Sequence, residues 1–117
     1  MSRQQWRLII LDAKIYNFGK NFRDFTYVDD VVKILYLSYK KNISKKTINI
    51  CRSKPIQTID LVLMLKKICK NKNLKINKTG FVKGEMLKTH GCNNKLKKNI
   101  GKINFTNLNE GLIKTIK

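Results

Sequence analysis

The pattern of apolar and polar positions divides the chain into short elements joined by basic, asparagine-rich loops. Residues 14–18 read as a short strand closed by a turn at Gly19. Phe25, Tyr27 and Val28 are strand formers and predict a second short strand. Over residues 31–41 the apolar positions Val31, Val32, Ile34, Leu35, Leu37 and Tyr39 form a broad helical face. Asp29 or Asp30 is placed to cap that helix, and Lys40 and Lys41 suit the negative end of its dipole. The β-branched run at 47–51 predicts a buried strand, which Pro55 ends. Thr58 is placed to cap a long helix over residues 59–71, apolar nearly all round from Leu61 to Leu65, which asks for burial on both sides. Residues 74–76 predict a weak strand and Thr79-Gly80 a turn. A short helix over 93–100 ends at Gly101, which can take a left-handed cap. Asn107 and Glu110 stand three apart as a capping pair, ahead of a stripe made by Leu108, Leu112, Ile113 and Ile116.

At 117 residues the chain suits one small domain. No apolar run approaches the ~20 residues of a membrane span, and residues 6–11 are too short and wrongly flanked for a secretory signal. A cytoplasmic protein without a membrane partner is expected. Cys51, Cys69 and Cys92 are odd in number and widely spaced, with no disulfide framework and no paired zinc-ligand spacing; His90 near Cys92 is the nearest thing to one. No metal site is expected.

The formal charge of +19 has two readings. One is a nucleic acid or other polyanion as partner. The other is base composition: the excess is almost all lysine, with only four arginines, and comes with many Ile and Asn, which share A/T-rich codons. Lysines lie in every segment and form no basic tail. The second reading is preferred, so a small nucleic-acid-binding protein is the alternative and no specific nucleic-acid partner is expected. His90 has no recognisable nucleophile or carboxylate motif beside it and reads as a loop histidine.

Residues 23–32, Arg-Asp-Phe-Thr-Tyr-Val-Asp-Asp-Val-Val, resemble the segment that opens the C-terminal, substrate-binding half of NAD-dependent epimerases and dehydratases, the extended short-chain dehydrogenase/reductases. Within that family they look most like the UDP-glucuronate 4-epimerases. The resemblance continues in order through Asn49, in the last parallel strand, and Gly84-Glu85, where the family has Gly-Asp. It covers residues 14–117. Residues 1–13 do not fit and read as a divergent or truncated lead, as though the reading frame began inside a gene that has lost its front.

The resemblance implies a mixed α/β fold of two or three short strands and four helices, without the N-terminal Rossmann domain. It implies a UDP-sugar as ligand. Arg23 would clamp the diphosphate with its guanidinium fork. Glu85 would take the ribose hydroxyls, and Tyr16 would stack on the base or fill a core position. Val82 stands where galactose epimerases carry Arg; Lys83 could replace it only as a point charge. The family's chemistry also needs a glycine-rich turn for NAD and a Tyr-x-x-x-Lys pair, and neither is found in its proper place. Tyr36 and Lys40 have that spacing inside the helix after the Arg-Asp-Phe segment, where the family has no catalytic residue. No catalytic residue and no NAD binding are therefore expected of this chain, which reads as a nucleotide-sugar epimerase part inactive by itself. A separate Rossmann-domain chain or self-association would cover its apolar surfaces.

Overall fold

The structure, a computed structural model, describes residues 12–70 and 73–116. Nearly all of the expected lead, and Asn71 at the expected end of the long helix, lie outside the described residues. In chain order the elements are β1 (Asp12–Ile15), a 3-10 segment (Tyr16–Gly19), β2 (Phe22–Arg23), α1 (Val28–Lys40), β3 (Ile56–Gln57), α2 (Thr58–Cys69), β4 (Lys75–Lys78), α3 (Asn94–Ile100) and α4 (Leu108–Ile116). The fold is mixed α/β, as the resemblance implies.

Two small two-stranded sheets organise the chain. β1 and β4 pair in parallel, from Asp12 opposite Lys75 to Ile15 opposite Lys78. β2 and β3 pair antiparallel, Phe22 opposite Gln57 and Arg23 opposite Ile56. The first predicted strand stops at Ile15 because Asn17, Phe18 and Gly19 are all left-handed, with φ of 47°, 53° and 72°. The Asn17 and Phe18 amides donate to the Gly80 and Thr79 carbonyls at 3.1 and 2.8 Å. Gly19 is required there: a Cβ would lie 2.6 Å from the Ile59 Cβ at the start of α2.

Both long helices start earlier than their capping residues suggest. Tyr27, not Asp29 or Asp30, occupies the position before α1, with extended φ and ψ. The predicted strand at Phe25–Val28 is therefore absent; the ladder lies earlier, at Phe22–Arg23. Asp29 and Asp30 fall inside the first turn, where their charge still suits the helix dipole. The Asp30 carboxylate instead accepts from the Thr106 amide and hydroxyl at 2.8 and 2.9 Å, tying α1 to the approach to α4. Thr58 is the first residue of α2 rather than its cap, and its hydroxyl donates to the Asn21 carbonyl at 3.1 Å. Two end signals hold in part. The Glu110 amide donates to the Asn107 side chain at 2.8 Å, a true cap. Gly101 follows α3 with positive φ, but at ψ −169° it is extended rather than a left-handed cap.

The core is small. Ile34, Leu96 and Ile100 are fully or almost fully buried, with Leu37, Ile43, Ile48, Ile50, Ile103 and Phe105 packed around them. Residues 47–51 thus supply core side chains but form no ladder strand. Their backbone is met by a side chain: Asn93 Nδ2 donates to the Cys51 carbonyl at 3.1 Å and to the Arg52 carbonyl at 3.3 Å.

The burial on both sides expected of residues 61–65 is not found: no residue of α2 is fully buried, because the helix packs on its neighbours along part of its surface only. Ile48 and Ile50 pack on the core, and in α2 only Leu63 is half exposed. Exposed apolar side chains lie on α1, where Val28, Val32, Leu35, Tyr36 and Tyr39 are 56–78% exposed along one helix face, and around the Glu85 turn, at Phe81, Val82, Met86 and Leu87. The radius of gyration is 17.0 Å, against roughly 13 Å for a compact domain of this length.

Candidate functional site

β2 is the floor of the candidate site. On one edge it pairs with β3. On the other, the Phe22 amide donates to the Leu87 carbonyl at 2.9 Å and the Phe22 carbonyl accepts from the Thr89 amide at 3.1 Å. The segment just after Glu85 is thereby laid along Arg23. Glu85 is aimed by a tight turn: its amide donates to the Val82 carbonyl at 3.2 Å, with Gly84 at φ +87° in the third position, where most side chains are strained. Arg23 Nη2 comes within 3.7 Å of Glu85 Oε1, and both side chains are about 30% exposed. At that separation the pair is ionic rather than a hydrogen-bonded fork. The other arm of the guanidinium folds back, Nη1 donating to the Phe22 carbonyl at 2.7 Å. Glu85 Oε2 is buried without a hydrogen-bond partner among the described residues.

The structure thus brings Arg23 and Glu85 together. Tyr16 stands on a different element, the 3-10 segment beside β4. It is 42% exposed, so it is no core aromatic, and the Lys14 ammonium lies 5.3 Å from its ring centre. Among the described residues no hydrogen bond or ion pair joins it to Arg23 or Glu85. Val82 and Lys83 are exposed on the turn that carries Glu85.

Asp24 is the residue the sequence reading passed over. Its carboxylate accepts three backbone hydrogen bonds, from the Ser53 amide (3.1 Å), the Lys54 amide (3.2 Å) and the Gly91 amide (3.1 Å). Its own amide donates to the Thr89 hydroxyl at 3.3 Å. Two loops are therefore pinned beside Arg23 by one carboxyl group. The signal available in the sequence was an acidic residue between aromatics, one position away from the guanidinium, with no helix start to cap. Gly91 fits because it has no side chain: a Cβ there would overlap the Cys51 sulfur and lie 2.8 Å from the Cys51 Cβ. Burial pushes the Cys51 thiol above its ordinary pKa, and the nearby Asp24 carboxylate adds to the effect.

His90 is exposed, and its Nε2 lies 3.2 Å from the Ser53 hydroxyl. Ser53 sits at φ +62°, strained for a residue with a side chain. Tyr36 and Lys40 lie on the exposed face of α1, the ammonium 6.0 Å from the ring centre. Among the described residues no group of three His, Cys, Asp or Glu could hold a metal ion, and no helix is long and apolar enough to cross a membrane.

No protein-family model matches the chain. An uncharacterised protein of Methanocaldococcus jannaschii is 30% identical over 101 residues, covering 86% of this chain and 31% of that protein. The solved UDP-glucose 4-epimerase of Thermotoga maritima superposes with a TM-score of 0.77 at 25% identity, covering 97% of this chain and 37% of the epimerase. The NAD-dependent NDP-hexosamine 5,6-dehydratase TunA, of tunicamycin biosynthesis, superposes with a TM-score of 0.80 at 18% identity, covering 93% of this chain and 35% of the dehydratase. The chain spans about a third of the length of these relatives. It carries part of the fold of the extended short-chain dehydrogenase/reductases, and its structural neighbours are NAD-dependent nucleotide-sugar epimerases and dehydratases.

Proposed function

We propose that the chain supplies the nucleotide-sugar-binding part of an epimerase or dehydratase, and that it holds a UDP-sugar, UDP-glucuronate in the finer reading, at Arg23 and Glu85. The observation that carries this is the juxtaposition of those two side chains, with Glu85 Oε2 buried and unpartnered. A buried carboxylate oxygen without a donor is costly, and a ribose hydroxyl is the donor it lacks. Arg23 is held to Glu85 only across 3.7 Å. A diphosphate oxygen offering a charge-assisted bond at ~2.7–2.9 Å competes well with that contact. Tyr16, exposed on the neighbouring element, is available to the base.

NAD is implied by the structural neighbours, and the described residues do not fit it. Of the three glycines with positive φ, Gly19 precedes β2, Gly84 lies in the Glu85 turn and Gly101 follows α3. None joins a strand to a helix N-terminus, the arrangement that cradles a dinucleotide pyrophosphate. No hydride step is assigned to this chain's residues. The exposed stripe of α1 supports a reading in which this part works packed against a dinucleotide-binding domain that supplies the cofactor and the acid–base pair.

Calorimetry with UDP and UDP-glucuronate tests the proposal. Saturable binding by the wild type that drops in Arg23→Ala is expected, with no NAD-dependent turnover of UDP-glucuronate or UDP-galactose by the isolated chain. Absence of UDP binding at millimolar ligand overturns the proposal.

A further inference from the structure

Cys51 ends the run 47–51 and Cys92 comes just before α3, yet the fold lays the chain on both sides of Cys92 against Cys51. On one side, Gly91 faces the Cys51 side chain so closely that a methyl group there would overlap the sulfur. On the other, Asn93 Nδ2 donates to the Cys51 carbonyl at 3.1 Å. Asp24 fixes the same junction, one of its carboxylate oxygens accepting from the Ser53 and Gly91 amides, both at 3.1 Å. The two thiols differ in access: Cys51 is buried and Cys92 exposed. Burial first, and then the Asp24 carboxylate, raise the Cys51 pKa; the Ser53 amide works against them, and Cys92 adds to the rise. That last effect is the charge of one sulfur felt at the other. Gly91 leaves no side chain of its own between the Cys51 sulfur and the backbone that carries Cys92. Cys69, by contrast, ends α2.

We infer that Cys51 and Cys92 are a dithiol that closes reversibly to a disulfide, with Cys92 as the entry thiol and Cys51 as the resolving one. Bridging needs residues that are already neighbours, with Cα atoms within about 7 Å. The contacts on either side of Cys92 make it a neighbour of Cys51. The oxidant is a small disulfide such as glutathione disulfide. Cys92 gives its proton to solvent, and its thiolate attacks one sulfur of the oxidant. That S–S bond breaks, a mixed disulfide forms, and one glutathione leaves as a thiolate that takes up a proton. Cys51 then loses its proton and attacks the Cys92 sulfur, expelling the second glutathione in the same way. Two protein thiols are oxidised and one glutathione disulfide is reduced to two thiols. Cys51 is buried, so the oxidant reaches it through Cys92 and not directly. The bond closes a ring over residues 51–92, which contains β3, α2, β4 and the Glu85 turn. It thereby reinforces a junction that Asp24 otherwise holds by hydrogen bonds. A ring of that size strongly restricts the unfolded chain.

The test incubates the whole chain, dilute, at pH 8 in mixtures of reduced and oxidised glutathione. Samples are quenched with acid, alkylated with N-ethylmaleimide and mapped by tryptic mass spectrometry. A monomer lighter by two hydrogens is expected, with Cys51 joined to Cys92 and Cys69 still alkylated. Cys92→Ala should form no bridge, and Cys51→Ala should stop at a glutathione adduct on Cys92. The oxidised wild type should melt about 10 °C higher than the reduced protein, the shift a typical disulfide gives a domain of this size. Dithiothreitol should reverse that gain. The mapping is made on the wild type and so requires neither variant to fold. A wild type that stops at the Cys92 adduct overturns the inference. So does a bridge through Cys69, a dimer joined at Cys92, or closure that takes place only in urea. An oxidised protein that melts no higher than the reduced one would overturn the reinforcing role of the bond.

Discussion

Arg23 and Glu85, on two segments that β2 brings edge to edge, meet at 3.7 Å, with one guanidinium arm already turned to the Phe22 carbonyl. Removing the guanidinium takes away a charge-assisted contact worth about 1.5–3 kcal/mol, a loss of roughly 10- to 150-fold in UDP affinity. Glu85→Gln frees Arg23 of its counter-charge and keeps an acceptor, so binding should persist. Calorimetry on both variants separates the roles, and indistinguishable titrations of wild type and Arg23→Ala would remove Arg23 from the site.

Asp24 gives a second, independent expectation. Asp24→Ala strands the amides of Ser53, Lys54 and Gly91. Bonds to a charged acceptor and the cost of unsatisfied amides put the loss at about 2–4 kcal/mol. Urea melts of the two proteins measure it. A variant that melts with the wild type would show the three bonds to be dispensable.

Gly91 and Cys51 should behave as a coupled pair. Gly91→Ala forces a methyl into the Cys51 side chain, at a cost of about 1–3 kcal/mol. Cys51→Ala in the same chain removes the sulfur and should recover part of that loss. Strict additivity in the double-mutant cycle would mean that the two sites do not touch.

The helices were legible because their apolar spacing is strong, and motif order singled out Arg23 and Glu85, which the fold brings to 3.7 Å of each other. Strand 47–51 was misplaced because its residues have strand propensity, while a ladder needs a partner edge, and Asn93 takes the Cys51 and Arg52 carbonyls instead. The caps at Asp30 and Thr58 failed for a related reason: each side chain has a tertiary partner, Thr106 and the Asn21 carbonyl, that a local rule does not see. Asp24 escaped because three of its partners are amides, which carry no sequence signal.

The α1 stripe predicts self-association of the isolated chain, opposed by the +19 charge. Added salt screens that repulsion, so sedimentation should show larger species at 500 mM than at 50 mM salt. Leu35→Lys should restore a monomer at both. A wild type monomeric across the whole range would remove the stripe as a docking face for a second copy.

Thiol chemistry should rank the cysteines. Cys92 is exposed and Cys51 buried with a raised pKa, so iodoacetamide at pH 8 should modify Cys92 first and Cys51 last. Because the folded Cys51 pKa lies above the unfolded one, its contribution to stability is complete below the ordinary thiol pKa. That contribution is lost as pH rises through the folded value. A Cys51→Ala variant should accordingly show a flatter decline in melting temperature on the alkaline side; an identical decline would contradict this.

The Asp24 carboxylate joins partners 29, 30 and 67 residues away along the chain. Closing loops of that length costs entropy that rises with their size, so this junction should assemble after the rate-limiting step of folding rather than before it. Weakening it should then leave the refolding rate almost untouched and speed unfolding instead. On this reading Asp24 governs how long a folded molecule persists between openings, and has little to do with how quickly a new one forms.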